Sequence, residues 1–210
     1  MNAVSDRLKQ VLEEVAACFD GVPGAKGGSS ATPEKHDEIL SDSGHPYSGF
    51  AEQKKLGSCA GTYRGRPVSV SFHRGSELTI SIRSSAPCLF RIVRNTLGAR
   101  LNILGGRRVL SEDQVFDQSF IIRVSGGCGL DSFFQRSDVT SVMNGLMPFY
   151  SLNSKPGSMV LASDFDEYTV RPDQITGRLE TLAALADTLE EATADSIARG
   201  DGGVLISDAE

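Results

Sequence analysis

The chain has 210 residues, a net charge of −6 and 40% hydrophobic residues. That length fits one domain with appendages and is long enough to bury a true core. No apolar run approaches a membrane span, and the N-terminus lacks the basic, apolar and small-residue succession of a signal peptide, so a soluble, cytoplasmic protein is expected.

The charge is unevenly spread. Residues 1–60 carry 6 basic and 9 acidic side chains, residues 61–136 carry 11 and 5, and residues 137–210 carry 4 and 13, for nets of −3, +6 and −9. Every basic residue of the middle block is arginine, whose planar fork of donors suits carboxylate and phosphate better than the point charge of lysine does. Cys18, Cys59, Cys88 and Cys128 are widely separated, with no Cys-x-x-Cys pair and no histidine at metal-ligand spacing. They read as reduced thiols, and no metal or cofactor is expected.

In chain order, Val4, Leu8, Val11, Leu12, Val15 and Phe19 recur at helical spacing, and Gly21 and Pro23 close the segment. Residues 1–20 are therefore an amphipathic helix, whose apolar stripe covers either the sheet, the last helix or a partner. Residues 21–56 are read as a flexible linker. Up to residue 48 they are rich in Gly, Ser, Pro and charge, with too few apolar residues to fold alone, and Phe50 to Leu56 form at most one helical turn. His36 and His45 fall in the linker as solvated side chains.

From residue 57 to 199 a single α+β domain is expected. Val68, Val70 and Phe72 alternate with polar residues, as do Leu78, Ile80 and Ile82, which marks a hairpin around Gly75. A two-residue loop would set Phe72 opposite Thr79, apolar against polar. A three-residue loop or bulge pairs Phe72 with Leu78 and Val70 with Ile80, keeping both apolar sets on one face. Cys88, Phe90 and Ile92 share a face of the next strand. Phe116, Gln118, Phe120, Ile122 and Val124 share a face of a later one, and a second hairpin is placed around Gly105-Gly106. Ser125-Gly126-Gly127-Cys128-Gly129 lacks the Lys and Ser or Thr of a phosphate-binding loop and reads as a turn.

Ser137-Asp138-Val139 opens a helix that Pro148 ends. Ser158 to Leu161 and Tyr168 to Val170 are read as a last strand pair around Asp164 and Asp166, which make an Asx-stabilised turn and lack the glycine and glutamate of a calcium loop. Pro172-Asp173 starts a terminal helix with Ile175, Leu179, Leu182, Ala186 and Leu189 on its apolar stripe, and residues 200–210 are an acidic tail. The expected fold is α+β: an antiparallel sheet of five to seven strands with N-terminal and C-terminal amphipathic helices.

Gly61-x-Tyr63-x-Gly65-Arg66, then Phe116-Asp117-x-x-Phe120, then a short helix, a strand pair and a terminal helix, resemble a loose group of uncharacterised bacterial α+β domains. The resemblance spans roughly residues 57 to 190 and implies one α+β domain of bacterial origin. That group has no assigned activity, so no functional residue carries over.

Strand parity supplies the candidate site. If the apolar positions face the core, then Arg83, Arg91 and Arg123 face outward on three strands, with Ser69, Ser71, Ser81, Thr79 and His73 around them. Such a face fits a non-catalytic binding or adaptor module for an anionic ligand or acidic protein partner, the candidate binding residues being Arg83, Arg91, Arg123, Ser81 and His73. Nucleic acid fits poorly, because the chain is acidic and the face lacks interleaved aromatics. The opposing reading is intramolecular: the acidic C-terminal helices lie across the arginine face and neutralise it. The rival class is a small enzyme with Cys128 as nucleophile beside His73 and Asp131, in which no base adjoins the cysteine in sequence. Asp113, Asp117 and Asp131 form the best acidic cluster and read as solvated surface carboxylates.

Overall fold

The computed structural model describes residues 3–20, 55–100, 106–125 and 130–198. The linker up to residue 54, the Cys128 loop and the acidic tail lie outside the described residues.

Helix α1 (Ala3–Ala17) comes first, followed by β1 (Lys55–Tyr63), β2 (Arg66–His73), β3 (Glu77–Ile82) and β4 (Leu89–Arg94). Then come α2 (Leu97–Arg100), β5 (Arg107–Val109), α3 (Gln114–Ser119), β6 (Phe120–Ser125), α4 (Leu130–Phe134) and α5 (Ser137–Gly145). The chain continues with β7 (Ser151–Lys155), β8 (Ser158–Asp164) and α6 (Pro172–Ala198). The strands form one antiparallel sheet in the order β1-β2-β3-β8-β7-β4-β6-β5. The fold is α+β as expected, but among the described residues the sheet has eight strands where five to seven were expected.

The β2–β3 hairpin has the register that parity requires. Phe72 lies opposite Leu78 and Val70 opposite Ile80, and Arg74-Gly75-Ser76 make a three-residue loop with Gly75 and Ser76 at positive φ. Three elements differ from the sequence reading. Residues 114–119 are helix and not strand, because the Asp113 carboxylate accepts from the backbone N–H groups of Val115 and Phe116 and caps α3. Phe116 and Phe120 suit a period-two strand and a helical i, i+4 pair equally well, and here their rings stack at 4.9 Å. Among the described residues Tyr168 to Val170 belong to no strand, and the N–H groups of Thr169 and Val170 donate to the Asp166 carbonyl. The N–H of Tyr168 donates to Asp166 Oδ1 at 2.9 Å in an Asx turn, and β8 takes β7 as its hairpin partner around Pro156-Gly157. Lys55 and Leu56 belong to β1 where a helical turn was expected.

Register assigns the faces. One face carries Val68, Val70 and Phe72 of β2, Leu78, Ile80 and Ile82 of β3, Leu161 and Met159 of β8, Leu152 of β7, Ile92 of β4 and Ile122 of β6. These residues form one core with Leu8, Val11, Leu12 and Val15 of α1, Val139 and Met143 of α5, and Leu179, Leu182, Ala186 and Leu189 of α6. Helix α1 sits closest at β1, where a Cβ on Gly61 would lie 2.4 Å from Phe19. The other face bears Ser69, Ser71, Thr79, Ser81, Asn153, Arg91 and Arg123. A small second core of Val93, Ile121 and Ala99 under α2 lies on that side. Among the described residues no helix is long and apolar enough to cross a membrane.

Candidate anion-binding row

Arg91 and Arg123 are brought together. They are directly opposed on β4 and β6, and Arg123 is in turn opposed to Arg108 on β5. Like charges directly opposite on neighbouring strands repel. The same row continues through Asn153 on β7 and Val160 on β8 to Ser81 on β3. No residue of β7, β4, β6 or β5 is acidic, while these strands carry Arg91, Arg94, Arg107, Arg108, Arg123 and Lys155.

The three arginines of the row differ in depth. Arg123 is 8% exposed, and its Nη1 donates to the Gly106 carbonyl at 3.0 Å, which fixes the guanidinium against the turn before β5. Arg91 is half-buried, and its Nε and Nη2 are buried without a hydrogen-bond partner. Burial pulls the pKa of this guanidinium down. Nε and Nη2 form one edge of the group, the two-donor fork that takes both oxygens of a single carboxylate or phosphate. Arg108 is exposed.

The other expected site residues lie elsewhere. Ser81 shares the row, but β8 and β7 lie between its strand and β4, so it stands about 14 Å from Arg91 at about 4.8 Å per strand. Arg83 is exposed just past the end of β3, bonded through its backbone to Pro67 and Arg66. His73 lies on β2 opposite Glu77 and Lys55, one strand from the far edge of the sheet. Asp131, on α4, is clasped by the guanidinium of Arg107 on β5. Six strand spacings, about 29 Å, separate β2 from β5, so His73 and Asp131 do not share a pocket. Cys128 lies outside the described residues. Asp113 and Asp117 are structural: the first caps α3 and the second accepts the N–H of Ser111.

The acidic C-terminal helix does not cover the row. Helix α6 packs on the opposite, apolar face, and its carboxylates engage the β1–β2 hairpin. Arg64 Nη2 lies 2.7 Å from Glu180 Oε1. Arg66 bridges Asp187 and Glu190, at 2.5 and 2.7 Å. Glu190 also accepts from Ser84 Oγ and the Ser85 N–H, and with the Arg66 bond as the main cause its carboxyl falls from 4.5 to about 2. The intramolecular reading therefore describes Arg64 and Arg66, while Arg91 and Arg108 have no carboxylate partner among the described residues.

A cleft beside α6 is lined by Leu78, Asp164, Phe165, Asp166, Ile175 and Arg178. Its charged groups serve the fold: Arg178 donates to Ser163 Oγ at 2.6 Å and to the Pro148 carbonyl at 3.0 Å, and Asp166 closes its turn. Cys18, Cys59 and Cys88 are not in disulfides, and burial pushes Cys59 up to about 11, far from a reactive thiolate. Among the described residues no three metal-ligating side chains converge.

No protein-family model and no curated protein matches the chain. A solved structure that does match is the mycobacterial trehalose monomycolate transport factor A, TtfA. It shares 12% identity over 69% of this chain and 78% of that one, with a TM-score of 0.47.

Proposed function

We propose that the protein is a non-catalytic binding module that takes an anionic group on the row formed by Arg91, Arg123 and Arg108. The observation that carries this reading is the unfilled donor edge of Arg91. A buried polar group without a partner costs about 1–3 kcal/mol, and more when it is charged. Arg91 also stands directly opposite a second arginine, Arg123, on the neighbouring strand. An anion would fill the fork, neutralise the repulsion and repay the desolvation in one step.

The test is thermal shift of the purified protein at low and high salt against phosphate, nucleotides, inositol phosphates, oligonucleotides and acidic peptides. Arg91→Gln and, as a control off the row, Arg83→Gln are run alongside. A salt-sensitive rise in Tm that Arg91→Gln loses and Arg83→Gln keeps is expected. A rise that Arg91→Gln retains, or no rise with any anion, contradicts the reading.

A further inference from the structure

We infer that the group recognised on this row is a chain of two or more phosphoryl groups, a diphosphate, and not a single carboxylate or orthophosphate. The inference rests on the binding reading above and deepens it. The Arg91 edge supplies two parallel donors, which one carboxylate or one phosphoryl group would fill completely. The row does not end there. Arg123 and Arg108 follow at successive strand spacings, so the positive charge runs in a line about 10 Å long across three strands.

A carboxylate or an orthophosphate gathers its oxygens on one centre, while the three guanidinium groups rise from strands about 4.8 Å apart. A diphosphate has oxygens on two linked centres, and its several negative charges match three arginines on strands that hold no acid to compete. Arg123 is pinned by the Gly106 carbonyl at the middle of the line, while exposed Arg108 is free to swing onto the second phosphoryl group. Across β7, β4, β6 and β5 the row consists of Asn153, Arg91, Arg123 and Arg108, with no aromatic ring to stack a base. The recognised element is therefore the phosphate chain, whatever carries it.

Isothermal titration calorimetry at constant ionic strength tests this with orthophosphate, pyrophosphate, ADP and citrate on the full chain. Pyrophosphate is expected to bind about tenfold tighter than orthophosphate, the gain of one further charge-assisted contact. ADP should match pyrophosphate, and citrate should be no tighter than orthophosphate. Arg108→Gln, an exposed substitution, should erase the pyrophosphate preference, lowering pyrophosphate affinity about tenfold more than orthophosphate affinity. Equal affinities for ortho- and pyrophosphate, both lost in Arg91→Gln, would overturn the diphosphate assignment and leave the anion site standing. Citrate or an acidic peptide binding as tightly as pyrophosphate would overturn it too. ADP tenfold tighter than pyrophosphate would mean that a base is read. If no anion binds at all, both the diphosphate and the anion site fall.

Discussion

Arg66 and Arg91 lie on opposite faces of one sheet, and their surroundings give them different work. Arg66 reaches two carboxylates of α6, and Glu190 answers with its own bonds from Ser84 and Ser85, so every charge in the cluster is met. Because the Glu190 carboxyl is depressed from 4.5 to about 2, its contribution is fully present above pH 4.5 and is lost as the pH falls through 2. Glu190→Gln is expected to lower stability by about 1–2 kcal/mol at neutral pH, since the bonds are charge-assisted but partly solvated. In urea unfolding followed against pH, the gap between wild type and variant should close between pH 4.5 and 2, and a gap that persists to pH 2 would show that the pair is not the cause. Arg91, by contrast, has desolvation without a partner. Strand parity alone reaches Arg91 and Arg123, because an arginine among alternating apolar residues must leave the core face. It does not reach Arg108: a hairpin around Gly105-Gly106 does not say that the three-residue strand after it pairs beside β6.

Among the elements, α1 shows how a helix separated by a long stretch of chain is placed. Gly61 on β1 leaves room for the Phe19 ring, and Gly57 does the same for Leu12. A methyl at Gly61 would collide with the ring, so Gly61→Ala should destabilise by about 1–3 kcal/mol, the usual range for overpacking. Phe19→Leu in the same chain should recover part of that loss, and a double-mutant cycle in urea showing no coupling would mean that α1 does not dock there. The amphipathic stripe of α1 is plain in the sequence, but its docking strand is not, because glycines in a strand carry no side-chain signal. The β2–β3 hairpin is legible down to its register, since only one loop length keeps both apolar sets together. The α3 segment misleads because two phenylalanines four apart fit either period, and the deciding feature is the Asp113 cap. The Tyr168 segment was too short for a pattern to distinguish a strand from a turn.

At the scale of the whole molecule, the sheet separates the charge blocks that the sequence sets side by side. The acidic helix α6 lies on the apolar face and meets Arg64 and Arg66 at the hairpin, while the row of Arg91, Arg123 and Arg108 occupies the other face on strands without acids. The order β3-β8-β7-β4 makes the difference between the expected and the observed site. It inserts two strands that come late in the chain between Ser81 and Arg91, leaves Arg83 and His73 far from Arg91 and Arg123, and brings Arg108 of β5 beside them. No local pattern encodes that insertion, because it depends on long-range pairing of β8 with β3 and β7 with β4. The measurement closest to the central claim is the Tm of Arg91→Met at low salt, with and without pyrophosphate. A site that holds a buried, unfilled guanidinium for a ligand predicts that the variant is more stable than wild type when free and gains nothing from pyrophosphate. A variant less stable than wild type when free, or one still stabilised by pyrophosphate, would show that Arg91 belongs to the fold and not to a site.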